Sequence, residues 1–525
     1  MRCLDFKLFG YLVFTIIVLL QQSCSEYKTE NKVNKFIAVE STISTLHQVL
    51  KNKTGNCVSI TKIFLKRIKK YDQSKNLNAI ILVNPAALLK AQALDDEFLK
   101  TQKLRYLHCV PVILKDNFDT ADMPTEAGAI ALKGSIPPDD AFMVKKLRAA
   151  GAIILAKSNM AEWAFSQHHT ISSTHGETRN AYDIKRVPAG SSGGTASAIA
   201  ASFGIIGMGT DTGNSIRGPA SHLALVGMRS TIGLTSRDGL IPLIRNRDIA
   251  GPLTRTVEDA AKTFNIIAGY DLADPVTHNK QSKINIDYTQ YLKKSGLKGV
   301  RIAVFRQLFD TDVITADFEV LDLMDQAIND LKSAGAIIVD PFEIKNFESL
   351  RMATGFCSRF RYDLNHYLSS LGENPPVKKL QTILDKKLFA KRSEQAMKWA
   401  ASVNVNPQLQ NPPCIDVQGD PRRRSFLTAV VNAMDRQHID VVIYPTWSYP
   451  PRIIEDDESA HGNNSSIIAP HTGQPSITVP MGFTRNSLPA GLQFLARPFD
   501  DAKLFQYAYA YEQFTQHRKP PVLFP

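Results

Sequence analysis

Hydrophobic residues recur every three or four positions on both sides of a "KTGN" break in residues 36–71, "FIAVESTISTLHQVLKNKTGNCVSITKIFLKRIKKY", which predicts two amphipathic helices. "LNAIILVNP" (77–85) is instead a short apolar run closed by Asn-Pro, the pattern of a strand, and "AALLKAQALDDEFLK" after it returns to helical spacing. The alternation continues. "VPVILKDNFD" (110–119) reads as a strand, and "AFMVKKLRAAGAIILAKSN" (141–159) as a helix, a turn at Gly151 and a strand ending at Lys157. "GTASAIAASFGIIGMGTD" (194–211) reads as a helix of small residues followed by a strand. Strands apolar on both faces and separated by helices predict an α/β fold, with a central sheet, largely parallel or mixed, buried under helices.

Beyond residue 300 the same style returns in "VRIAVFRQLF", "DFEVLDLMDQAINDLKSAGAIIVD" and "IDVVIYPTWSYPP", with a polar, proline-containing loop at 403–423. There is no internal repeat, and the Pro/Gly-rich stretches are too short for linkers, so a single large α/β/α domain is expected although 525 residues alone would permit about three. Lys and Arg are scattered among acidic residues, so the formal charge of +12 reads as a solvated basic surface and no nucleic-acid partner is expected.

The start changes the picture of where the protein works. Arg2 and Lys7 precede an apolar run from Leu8 to Leu20, then polar residues and Cys24, which is signal-peptide architecture over residues 1–23 and too short for a comfortable membrane span. It resembles a bacterial lipoprotein signal with Cys24 as the lipidated residue and membrane attachment through it, although Gln21 stands where an aliphatic residue is usual; simple secretion and an uncleaved anchor stay open. The other cysteines, including Cys57, Cys109, Cys357 and Cys414, show no metal spacing and are expected to be buried free thiols rather than a disulfide framework.

Three segments carry candidate chemistry. "PAGSSGGTASAIA" (188–200) is a glycine-rich turn opening a helix, and its G-x-S-x-G centred on Ser192 suggests a nucleophile elbow, but the preceding "YDIKRVPA" is not the buried strand an elbow needs. In "MGTDTGNSIRGPA", Gly209, Gly213 and Asn214 allow a tight loop that turns N–H groups inward beside Ser215, with Asp211 and Arg217 available to clamp it. Lys115 ends the apolar "VPVIL"; burial lowers a lysine's pKa and makes it a base, whereas the ordinary alternative is a lysine snorkelling to water. The spacing of His168, His169 and His175 suits no standard metal site, and the serines and threonines around them read as lining of a substrate entrance.

Taken together, Lys115, "GSSGG" and the Gly-Asn-Ser-Ile-Arg segment resemble the amidase signature family, most specifically over "AGSSGGTASAIAASFGIIGMGTDTGNSIRGPASHLALVGMRSTIGL", with further similarity in "RDIAGPLTRTVEDAA", "GQPSITVPMG" and "LPAGLQFLARPFDDAKL". The resemblance implies an amidase domain over residues 36–519, no cofactor and no metal, and a Ser-Ser-Lys triad: Ser215 as nucleophile, Ser191 as proton relay after a cis Gly190–Ser191 peptide, and Lys115 as base. It further implies an oxyanion hole from the backbone N–H groups of Thr212, Gly213, Asn214 and Ser215, with Asn214 where many members have glycine. Residues 280–430 match least, in a region that often shapes the family's substrate pocket. The expected activity is hydrolysis of a carboxylic or peptide amide, nearest to peptide amidases, with fatty-acid amides or esters still open as substrates. The rival readings are a glutaminase subunit of a tRNA-dependent amidotransferase, which the leader opposes, and a non-catalytic binding protein on the same fold, which the intact triad opposes.

Overall fold

The computed structural model describes residues 36–311, 314–459 and 462–525; the signal-peptide and Cys24 readings lie outside the described residues. The two helices expected at the start form as Ile43–Lys51 and Cys57–Tyr71. Each is opened by a side-chain cap, Thr42 accepting from the Thr45 N–H and Asn56 from the Ser59 N–H, which satisfies N–H groups the first helical turn cannot.

The strands are β1 (Ile80–Val83), β2 (Pro111–Lys115), β3 (Ile153–Ser158), β4 (Ile171–Ser172), β5 (Gly176–Glu177), β6 (Ile206–Asp211), β7 (Val226–Arg229), β8 (Ile249–Thr254), β9 (Arg301–Val304), β10 (Ile337–Val339), β11 (Val441–Pro445), β12 (Ser476–Thr484) and β13 (Leu488–Leu495). β4 and β5 form a small separate ribbon, and the rest join one sheet in the order β1-β3-β2-β6-β8-β7-β12-β13-β11-β9-β10. β2, β3, β6, β7, β8, β11 and β13 are buried along their whole length, which fits the apolar runs in β2, β3, β6 and β11.

The sheet is mixed, and more antiparallel than the helix-strand alternation suggested. β3-β2-β6 and β10-β9-β11 are parallel, as crossover helices require, but the middle from β6 through β8, β7, β12 and β13 to β11 is antiparallel. β12 and β13 make a hairpin through Arg485 and Asn486, both with left-handed backbone, in a turn without the Asn-Gly or Asp-Gly pair that marks hairpins in sequence.

The cysteine expectation is overturned. Cys57 is bonded to Cys109 and Cys357 to Cys414, with Cα atoms 5.2 and 5.8 Å apart. The first joins the start of the helix Cys57–Tyr71 to the residues leading into β2; the second joins two irregular segments. Separations of 52 and 57 residues left no local signal of either pair.

Helices between 360 and 401 bury Phe360, Leu364, Leu380 and Met397 against Ala127, Met160 and Trp163, a second apolar cluster beside the main core. This least-matched part of the chain therefore roofs the segments around residues 127–132 and 160–165. Among the described residues no helix is long and apolar enough to cross a membrane.

Candidate active site

β2 and β6 are parallel neighbours, with Val112 opposite Ile206 and Leu114 opposite Met208, so their carboxyl ends open at the same edge of the sheet. Lys115 is the last residue of β2, and the loop 212–216 follows β6 directly. Such an edge is where ligands bind in α/β sheets.

Lys115 is completely buried. Its Nζ lies 2.7 Å from Ser191 Oγ and donates to Thr210 Oγ1 at 2.7 Å and, more distantly, to the Thr210 carbonyl at 3.5 Å. Burial pulls its pKa down to about 7, with the Asp248 and Asp211 carboxylates opposing that fall. Thr210, absent from the sequence reading, also accepts from Asn117 Nδ2 at 3.1 Å. The only signal for it was a threonine at the end of an apolar strand.

Ser191 reaches Lys115 because of how residues 188–194 are packed. The Gly190–Ser191 peptide is cis, as the resemblance implied. The Gly190 N–H donates to the Gln167 carbonyl at 2.9 Å, and the Ser191 carbonyl accepts from the Ala161 N–H at 3.1 Å. A Cβ on Gly190 would overlap the His169 and Ser166 carbonyl oxygens, and one on Gly194 the Asn159 carbonyl oxygen. Gly190 and Gly194 are thus explained by close backbone approach, while a Cβ on Gly193 would meet the Thr170 and Pro188 side chains, and the Gly193 N–H is already bound to Thr170 Oγ1 at 3.1 Å. No strand precedes Ser192, whose Oγ donates to the Thr210 carbonyl at 3.2 Å, so the elbow reading does not apply.

The loop after β6 is held by charge. Arg217 Nε is 3.0 Å from Asp211 Oδ2, Arg229 Nη1 is 2.9 Å from Asp211 Oδ1, and all three side chains are fully buried. Burial alone would raise the Asp211 carboxyl, but the two guanidiniums hold it down to about 2. Arg217 also donates to the Gly213 carbonyl at 2.8 Å and the Ser465 carbonyl at 2.7 Å, and the Ile216 N–H donates to Asp211 at 3.3 Å. The predicted Asp211–Arg217 clamp is present, and Arg229 was the missed member. Thr212 Oγ1 donates to Asp248 Oδ1 at 2.5 Å, which ties the loop from its other side.

Gly213 and Asn214 do not use the left-handed backbone that the sequence reading allowed them; neither has a positive φ. Asn214 is buried, its Nδ2 donating to the Gln167 carbonyl at 3.5 Å and lying against Gly218. Among the described residues nothing accepts from the backbone N–H groups of Thr212, Gly213, Asn214 or Ser215. Ser215 stands at the end of this row with 4% of its surface exposed, immediately before the helix Arg217–His222.

The three histidines go to separate surroundings. His169 Nε2 is 3.1 Å from Asp457 Oδ1 and 3.1 Å from Arg452 Nη2, His168 packs edge-on against Trp447, and His175 sits on the turn of the β4–β5 ribbon. Ser166, Gln167, His168 and His169 line a cavity of about 700 Å³ together with Arg392 and Trp399. Gln167 also faces Gly213, so this cavity and the loop after β6 share a wall.

Comparison with known proteins gives the same family throughout. The Amidase family model matches residues 59–505. An Arabidopsis thaliana protein named "Probable amidase" is 31% identical over 93% of this chain and 92% of its own length. A glutamyl-tRNA(Gln) amidotransferase subunit from Microcystis aeruginosa is 33% identical over 92% of this chain and 99% of its own. The crystal structure of native peptide amidase from Stenotrophomonas maltophilia superposes with a TM-score of 0.82 at 33% identity, over 93% of this chain and 99% of that one.

Proposed function

The chain belongs to the amidase family, and from that premise we propose that it is an exported amide hydrolase that cleaves a carboxylic or peptide amide through an acyl-enzyme on Ser215. Ser215 Oγ attacks the amide carbonyl and passes its proton to Ser191, whose own proton goes to Lys115. The observation that carries the reading is the contact of Lys115 Nζ with Ser191 Oγ at 2.7 Å inside a fully buried site. A neutral amine has two N–H donors and one lone pair. Thr210 Oγ1 and the Thr210 carbonyl take the donors, which leaves the lone pair for the Ser191 hydroxyl.

The tetrahedral oxyanion is held by the unengaged N–H groups of residues 212–215, each such donor contributing about 3 kcal/mol to the barrier reduction in comparable sites. The proton on Lys115 returns through Ser191 to the leaving nitrogen, which departs as ammonia or an amine. Water then attacks the ester by the same relay, restoring Ser215 and releasing the acid.

Two disulfides support export, since they persist in oxidising compartments, and they weigh against a glutaminase subunit working on charged tRNA in a reducing one. Peptide amidase among the structural relatives supports amidated peptides as the first substrates to try. The test is ammonia release by the purified protein from amidated peptides, small aliphatic and aromatic amides, long-chain acyl amides and glutamine. Ser215→Ala is expected to lower kcat by about 10⁴-fold or more. Turnover that survives Ser215→Ala would overturn the assignment, and exclusive use of glutamine would favour the amidotransferase reading.

A further inference from the structure

The surface in front of Gly213 is built from three side chains. A Cβ placed on Gly213 would meet Phe356 Cζ at 3.6 Å, Gln167 Nε2 at 3.9 Å and Ser466 Cβ at 3.9 Å, all ordinary contact distances. A group bound against the loop therefore touches the same three side chains. Phe356 is the apolar one, and it is 37% exposed, while Thr354 and Ser358, two positions to either side, are buried.

Phe356 has no regular secondary structure to hold it, because the helix Phe347–Ala353 has ended and the helix Phe360–Ser370 has not begun. Its position comes from side chains. The Arg247 guanidinium lies 4.4 Å from the ring centroid and donates to the Thr354 and Gly355 carbonyls at 2.8 and 3.0 Å, and His471 meets the ring edge-on at 5.1 Å. The next residue, Cys357, is bonded to Cys414, whose carbonyl accepts from Arg359 at 3.0 Å. Asn246 Nδ2 donates to the Ile415 carbonyl at 2.8 Å, which fixes the far end of the bridge to the segment that carries Arg247.

We propose that Cys357–Cys414 is a positioning element for substrate selection, holding the Phe356 ring as an apolar wall beside the oxyanion loop so that amides with a bulky apolar acyl group are preferred. The inference deepens the hydrolase reading and rests on it for the assignment of this space to the acyl group. Arg247 lies 4.4 Å from the ring centroid and His471 packs beside it, so the Cζ edge that points to Gly213 is the part of the ring a ligand would meet. Without the bridge, an irregular segment gains backbone freedom, and ordering it again on binding costs affinity for the group that touches it.

The test compares 3-phenylpropionamide with propionamide in the wild type, Phe356→Ala, Phe356→Leu and the double variant Cys357→Ala/Cys414→Ala. The first and last variants are expected to raise KM for the phenyl substrate about 10-fold and so to lower the phenyl-to-alkyl ratio of kcat/KM, with Phe356→Leu recovering part of the loss. Adding Cys357→Ala/Cys414→Ala to Phe356→Ala is expected to give no further loss, because both act through the same ring. Reducing Cys57→Ala/Cys109→Ala with a phosphine should reproduce the double-variant effect, which keeps the inference testable if that variant folds poorly. Calorimetric binding of 3-phenylpropionate against propionate to the same proteins reads the wall without turnover. Absence of ammonia release from every amide with the binding preference intact sinks the hydrolase reading alone. An unchanged phenyl-to-alkyl ratio in both the double variant and the reduced protein overturns the positioning role.

Discussion

Lys115 and Lys157 carry the same local signal, a lysine closing an apolar strand, and they sit on adjacent parallel strands with Leu114 opposite Lys157. Both are fully buried, yet their surroundings give them different chemistry. Lys157 has the Asp116 carboxylate at 4.0 Å and donates to the Phe118 carbonyl at 2.6 Å and Thr125 Oγ1 at 2.9 Å; burial lowers its pKa too, against the pull of Asp116, but its hydrogen bonds go to these partners and not to Ser191. Lys115 has hydroxyls and a carbonyl, and its lowered pKa of about 7 makes the neutral form accessible. The proposed relay uses the neutral amine as base, so kcat/KM is expected to climb as pH rises through about 7 and to level off above it, and a pH–rate profile checks this. Lys115→Ala should abolish that limb together with most activity. Lys157→Ala should instead cost about 1–3 kcal/mol in urea unfolding by leaving the Phe118 carbonyl and the Thr125 hydroxyl buried without their donor.

At the scale of elements, the site depends on how closely the start of the helix Gly193–Ala200 approaches the end of β3. Gly194 has no room for a Cβ because the Asn159 backbone occupies that space, and backbone cannot yield as a flexible side chain can. Gly194→Ala is therefore expected to destabilise the fold by about 1–3 kcal/mol or more and to lower activity by displacing Ser191, as read by denaturant midpoint and turnover. Two glycines in "GSSGG" being forced by backbone contacts around it explains a pattern that, read alone, also suggested an anion-binding turn. Asp211 plays the corresponding part on the other side: Asp211→Ala leaves Arg217 and Arg229 buried without a counter-charge, and a loss of about 3–5 kcal/mol is expected on unfolding.

For the whole molecule, the disulfides close loops that span the sheet and the part of the chain that roofs the site. Closing about 50 residues restricts the unfolded chain by about 4 kcal/mol in the chain-entropy account. Cys57→Ala/Cys109→Ala, far along the chain from Phe356, is expected to lower stability by about 2–5 kcal/mol while leaving the phenyl-to-alkyl preference unchanged. Equilibrium unfolding in urea and the paired amide assay separate the two effects. The mixed character of the sheet also belongs to this scale. Its two parallel wings follow from helix crossovers visible in the hydrophobic pattern, whereas the antiparallel middle is completed by β7 meeting β12, with Arg229 opposite Ser476 far along the chain.

Alternating apolar runs and helical spacing were enough to locate β1, β2, β3, β6, β9, β10 and β11: β2, β3, β6 and β11 are buried on both faces, and the edge strands β1 and β10 still announce themselves as short runs rich in Ile and Val. Lys115, Ser191 and Ser215 were named as a set through the family resemblance, and the structure brings Lys115 against Ser191; the Asp211–Arg217 clamp was legible from the loop residues themselves. Thr210, Arg229, Phe356, the opening of the cavity beside Gln167 and both disulfide pairings were decided only by the tertiary structure. Each of these depends on a contact between residues far apart in the chain or on a side chain whose type is ordinary until its neighbours are known. A lysine in an apolar run states that something buried and basic is possible; the 2.7 Å contact with a serine 76 residues away decides what it can do.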